Sequence, residues 1–153
     1  MDKIDRKILD LLQKDASATA SDIAEHVGLS KTPCWRRILR LKESGVIQRI
    51  VAILDPKRLG IGTTVFVMLK TGNHSTAWLE RFSKAIERIP EITEIYRLSG
   101  DTDYLIRIAV PDIDGYDAVY KRLITSVEFV DVNASFVLET MKSTTALPLS
   151  YTR

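Results

Sequence analysis

The chain has 153 residues, room for one ordinary domain or two small ones, with enough aliphatic and aromatic side chains for packed cores rather than wholesale disorder. Its 22 Lys/Arg nearly balance 20 Asp/Glu, but residues 1–58 carry 12 basic and 8 acidic side chains while residues 59–153 carry 10 and 12, so the N-terminal part is the one expected to meet a polyanion. Cys34 is the only cysteine, the opening Met1–Lys7 is charged and no apolar run is longer than that of Val65–Leu69; together these exclude an internal disulfide, a signal-peptide core and a membrane span, and point to a cytoplasmic protein without membrane association.

Ile4, Ile8, Leu11 and Leu12 recur on one helical face, with Asp2 placed as N-cap, and the pattern stops near Lys14–Ser17. Thr19-Ala20-Ser21-Asp22 resembles a capping box and opens a second helix, whose apolar face is Ile23, Ala24 and Val27 and whose stop is Gly28. Ser30 then serves as N-cap of a third helix. Pro33 is compatible with it, because first-turn N–H groups have no intrahelical partner to lose. Gly45 ends this helix, and Val46–Ile53 is expected to form one or two short strands. Helix, glycine turn, helix and strand is the layout of a winged helix-turn-helix.

Leu54–Gly60 reads as a linker containing both Pro and Gly. The rhythm then changes. Thr63–Lys70 predicts a strand, and Ser75 caps a helix that turns Trp78, Phe82, Ile86 and Ile89 inward and stops at Pro90. Ile92–Leu98 and Tyr104–Val110 predict two strands joined by a hairpin-type connection. Asp112 caps a helix through Tyr116, Tyr120, Leu123 and Ile124, and Val130–Leu138 is the last strand. The βαββαβ order is that of a ferredoxin-like domain, so the expected class is α+β. The expected division is a DNA-binding domain over 1–54, a linker over 55–61 and a second domain over 62–153.

Cys34, Ile38 and Leu41 form the inward stripe of the third helix, roughly opposite Thr32, Arg36 and Arg40. From Lys31 to Lys42 there are five basic residues and no acidic one. A surface helix with a basic bias is the bland explanation, but a solvated face ordinarily mixes signs, whereas a helix entering the major groove needs positive charge. Arginine pairs with phosphates or with guanine O6 and N7, and first-turn N–H groups meet phosphate. Following a helix and a glycine turn, the segment predicts contacts to double-stranded DNA from Ser30, Lys31, Thr32, Pro33, Trp35, Arg36, Arg37 and Arg40. Trp35 lies at the border of this face, on the wing or at the backbone edge.

Several stretches carry a family resemblance: Asp5-Arg6-Lys7-Ile8-Leu9, Val27-Gly28-Leu29-Ser30, Thr32-Pro33-Cys34, Arg40-Leu41, Gly45-Val46-Ile47, Leu54-Asp55-Pro56, Ser99–Tyr104 and Lys142–Leu149. In this order, over essentially the whole chain, they resemble the leucine-responsive/asparagine regulator (Lrp/AsnC) family. The resemblance implies a winged-helix reader joined to an amino-acid-sensing domain, control of amino-acid metabolism genes, and homodimers that assemble to tetramers or octamers. It also implies an effector pocket at a subunit interface near Ser99, Gly100, Asp101, Thr102, Asp103 and Tyr104.

On composition alone the same loop is a hairpin turn, since Gly and Asp are turn residues. Two carboxylates without His or Cys make a poor metal set, and no metal or other cofactor is expected. Turn backbone groups and a carboxylate could instead take the ammonium and carboxylate of a free amino acid. The strand Ala134–Leu138 completes such a pocket or is sheet core. His26 and His74 have no catalytic or zinc pattern beside them, and Cys34 reads as packing. The function expected is a sequence-specific transcription regulator responding to an amino acid. One alternative is an amino-acid-binding regulatory module acting through protein–protein contacts. Another is a small enzyme on the ferredoxin-like domain, disfavoured by the absence of a nucleophile–base pair.

Overall fold

The structure, a computed structural model, describes residues 1–152. By contacts the chain divides into two compact units, one containing Met1–Ile53 together with the chain from Met141 onward, the other Leu54–Thr140.

The first unit holds three helices: α1 (Lys3–Lys14), α2 (Ala20–Val27) and α3 (Lys31–Glu43). Two of them begin with reciprocal capping boxes, in which the cap side chain accepts from the third helical N–H and the third side chain accepts from the cap N–H. These pair Asp2 with Asp5 and Thr19 with Asp22. Gly28 ends α2 in the left-handed region (φ 71°, ψ 36°), and its N–H donates back to the carbonyls of Ala24 and Glu25. The turn is therefore tight enough for Ser30, the N-cap of α3, to follow two residues later. Ile8, Leu9, Ile23, Ala24, Val27, Cys34, Ile38 and Leu41 form one buried cluster, contributed by all three helices.

The strands expected over Val46–Ile53 are not formed. The segment is irregular, and Val46, Ile50, Val51 and Ile53 are exposed, because no second strand among the described residues of the unit supplies the ladder that a lone extended segment needs. The chain returns instead from Met141. Leu147 and Gln13 exchange two hydrogen bonds: the Leu147 N–H donates to Gln13 Oε1 (2.6 Å) and Gln13 Nε2 donates to the Leu147 carbonyl (3.3 Å). Leu149 packs against the helical core at a short 3-10 turn, Leu149–Tyr151, and Arg6 Nη2 donates to the Thr152 carbonyl (2.8 Å).

The second unit is β1 (Thr63–Lys70), α4 (Thr76–Glu87), β2 (Ile92–Arg97), β3 (Tyr104–Val110), α5 (Ile113–Ser126) and β4 (Asp131–Phe136). The strands form one antiparallel sheet in the order β2-β3-β1-β4, as a ferredoxin-like arrangement requires. Register decides the faces. Val65, Val67 and Leu69 lie opposite Ile108, Ile106 and Tyr104, and this face is buried under Trp78, Phe82 and Ile89 from α4 and its end, and Val119 and Leu123 of α5. The inward residues of α5 are thus Val119 and Leu123 with Tyr116 beside them. Ile124, on the same helix, is exposed. The opposite face carries Phe66, Met68, Leu105 and Tyr96 around a Glu94–Arg107 ion pair (2.6 Å), and no helix of the unit covers it.

Candidate nucleic-acid interface and effector loop

Helix α3 is amphipathic in a way that fixes its outer surface. Cys34, Ile38 and Leu41 are buried, which turns Lys31, Thr32, Trp35, Arg36 and Leu39 outward. No acidic residue lies in the first turn, and the Ser30 side chain makes no capping bond. The first-turn N–H groups and the Ser30 hydroxyl are therefore left for an external acceptor, at the end of the helix where the dipole favours an anion. Pro33 is exposed in that turn. Lys42 Nζ lies 6.0 Å from the centre of the Trp35 ring, at the edge of cation–π range, and Trp35 itself is half exposed. Arg36 is exposed and makes no ion pair among the described residues.

Arg37 and Arg40 are placed differently from Arg36. Arg37 Nη1 donates to Asp2 Oδ2 (2.5 Å) and Asp5 Oδ1 (2.8 Å), and Arg40 Nη2 donates to both Asp5 oxygens at 3.0 Å. Asp5 is only 3% exposed, and a buried carboxylate is retained when cations and N–H groups satisfy it. These two arginines brace α3 against the N-terminus of α1, while the Arg40 side chain, 61% exposed, keeps an edge in solvent. The Asp5 backbone N–H, followed by the Arg37 guanidinium, holds the Asp2 carboxyl below its ordinary range. Burial pushes the Cys34 thiol up, as suits a packing residue.

Ser99–Asp103 connects β2 to β3, with Gly100 at φ 129°, a conformation that glycine permits. Ser99, Gly100 and Asp101 are exposed and Thr102 is half-buried. Asp103 is used internally: its carboxylate accepts the N–H of buried Thr71 (2.8 Å), and its backbone exchanges with Leu69 and Leu98. Tyr104 is buried in an aromatic cluster, with its ring 4.9 Å from Phe82 and 5.9 Å from Trp78. The loop thus presents an open polar rim on a rigid base. Among the described residues, no group of three or more His, Cys, Asp or Glu could hold a metal ion, and no helix is long and apolar enough to cross a membrane.

The comparisons fall on these two units. Residues 1–48 match the family of winged helix-turn-helix DNA-binding domains, and residues 64–147 match the Lrp/AsnC ligand binding domain. The chain belongs to the Lrp/AsnC family. It is 47% identical over 152 residues to the glutamate uptake regulatory protein of Zymomonas mobilis, covering 99% of this chain and 93% of that protein. Among solved structures, an AsnC family transcriptional regulator from Agrobacterium tumefaciens superposes with a TM-score of 0.96 at 52% identity, over 100% of both chains. A transcriptional regulator from Neisseria meningitidis, solved as a complex with L-Met, superposes with a TM-score of 0.92 at 32% identity, over 97% of each chain. This Lrp/AsnC protein is accordingly a DNA-binding transcription regulator with a ligand-binding domain.

Within that family frame, the Asp2–Asp5 acceptors for Arg37 and Arg40 are what sequence reasoning missed. The available signal was two carboxylates three residues apart at the start of α1, which suggested only a cap.

Proposed function

We propose that this regulator reads operator DNA with the outer face of α3 and senses a free amino acid at the Ser99–Thr102 rim. The observation that carries the DNA half is the acid-free face of Lys31, Thr32, Trp35 and Arg36 beside an uncapped helix N-terminus. Ser30, Lys31, Thr32 and Pro33 approach phosphate, and Arg36 reaches base edges. Arg37 and Arg40 hold the helix in register, and the exposed edge of Arg40 adds a phosphate contact.

The amino-acid half is supported by an exposed carboxylate, Asp101, beside turn backbone groups suited to an ammonium and a carboxylate. The L-Met complex of the Neisseria relative is in keeping with it. Asp103 and Tyr104 hold the loop rather than the ligand. One copy leaves the rim open, so a neighbouring copy closes the site.

The uncovered sheet face with Phe66, Met68, Leu105 and Tyr96 suits a homodimer, and such dimers build tetramers or octamers. A two-fold dimer prefers pseudo-palindromic sites. Residues 1–54 act as reader, 55–61 as linker and 62–153 as sensor and assembly domain, in the cytoplasm. The protein acts by binding and not as an enzyme. A thermal-shift series across the common amino acids tests the sensing half, because a ligand of the native state raises its melting temperature. One or a few should raise it and alter the gel-shift affinity for operator DNA; no shift with any amino acid would overturn that half.

A further inference from the structure

The unit Leu54–Thr140 is acidic, with ten Lys/Arg against thirteen Asp/Glu, yet four of those ten basic residues line one groove. Arg81, Lys84 and Arg88 follow one another along a stripe of α4 and its C-cap, and Arg122 faces them from α5 beside Thr125 and Ser126. The groove encloses about 500 Å³.

Its charge is largely unspent. Arg122 donates to Glu91 (2.5 Å), but Arg81, Lys84 and Arg88 make no ion pair among the described residues. Glu80 lies four residues before Lys84, the order in which Glu and Lys pair best on a helix, and still takes no part. Asp117 and Lys121, at the same spacing on α5, do pair. The hydroxyls of Thr125 and Ser126 donate to carbonyls of α5 itself, so the wall they form adds no free donor.

Local structure accounts for part of this arrangement only. Cations in a last turn compensate the helix dipole, which covers Lys84 and Arg88. Arg81 lies a further turn back, and like charges three and four residues apart disfavour a helix by a few tenths of a kcal/mol in general. The row from Arg81 to Arg88 spans about 10 Å at helical rise, which measured along the axis of a duplex is about three base-pair steps.

We propose that this groove is a second, sequence-independent contact for the phosphate backbone of duplex DNA flanking the site read by α3. It neutralises two to three phosphates through Arg81, Lys84 and Arg88, so the affinity of the whole protein depends on DNA beyond the operator core.

The test uses the full chain and its Arg81→Gln/Lys84→Gln/Arg88→Gln variant, leaving Arg122 to hold Glu91. Each is titrated at several salt concentrations with a duplex limited to the selected site, with the same site carrying long flanks, and with a long random-sequence duplex. On both long duplexes the variant should bind about tenfold more weakly, with a log–log salt slope shallower by about 2–3. On the short duplex it should stay within about twofold, and its melting temperature should be unchanged. Equal slopes for both proteins on the long duplexes would overturn the proposal, as would an equal loss on the short one. ATP bound by the parent chain and lost in the variant, with DNA binding unaffected, would assign the groove to a small phosphate ligand and overturn it as well. Failure of specific reading by α3 would appear separately, as equal affinity of the parent chain for selected and random short duplexes.

Discussion

Asp5→Asn isolates the brace beneath the reading helix. The buried carboxylate accepts from Arg37 Nη1, from Arg40 Nη2 at both oxygens and from the Asp2 N–H (3.3 Å). Asparagine keeps the shape but turns an NH₂ donor toward guanidinium donors and removes the charge. Losing one partner of a fully buried pair costs about 3–5 kcal/mol in general. Here both guanidiniums reach water, since the Arg40 side chain is 61% exposed and that of Arg37 26%, and Arg37 retains Asp2. The screened remainder is about 2 kcal/mol, mostly charge-assisted hydrogen bonds. In a chain of this size that lowers the melting temperature by about 4–8 °C. Urea denaturation followed by far-UV circular dichroism measures it. A double-mutant cycle with Arg40→Gln should show coupling of about 1 kcal/mol. A change below about 0.5 kcal/mol for Asp5→Asn, or strict additivity in the cycle, would refute the brace.

Other outcomes follow from the same geometry. Arg36→Ala should weaken specific binding by about 1–3 kcal/mol in a gel shift, the range of a base-edge contact, and leave the melting temperature unchanged. Asp101→Ala should abolish the amino-acid-induced thermal shift with little change in the unliganded protein. Asp103→Ala should instead destabilise the unliganded protein by about 1–2 kcal/mol, because the buried Thr71 N–H loses its acceptor. The carboxyls of Asp2, Asp22 and Glu94 are all held below their ordinary range, by the Asp5 N–H and Arg37, by Thr19, and by Tyr96 and Arg107 respectively. Their contribution is full above the ordinary carboxylate range and is lost as pH falls through the depressed values, so urea midpoints should hold near neutrality and drop on acidification below about pH 4.

How much of this was legible depended on range along the chain. The Thr19–Asp22 box, the Gly28 stop and the spans of β1 and β3 rest on neighbours a few residues apart, and the sequence displays them directly. The last strand is shorter than Val130–Leu138 suggested, because pairing with β1 runs only from Asp131 to Phe136. The Val46–Ile53 strands were expected from apolar content, but a strand requires a partner that composition does not reveal.

The functional face divided in the same way. Cys34, Ile38 and Leu41 oriented α3 correctly, so the exposure of Arg36 followed. Arg37 and Arg40 looked equally available because their acceptors lie more than thirty residues away. The Gln13–Leu147 exchange spans 134 residues, and no local pattern announces it. Arg81, Lys84 and Arg88 lie on one helix and its cap, but the groove they line needs Arg122, Thr125 and Ser126 from α5, more than thirty residues away.

The most direct test of the central claim is selection from random duplex DNA by the full-length protein, at moderate salt, with and without the amino acid found by thermal shift. A pseudo-palindromic sequence should be enriched, its affinity should change with the amino acid, and Arg36→Ala should lose the enrichment. Recovery of no preferred sequence under either condition would contradict the account.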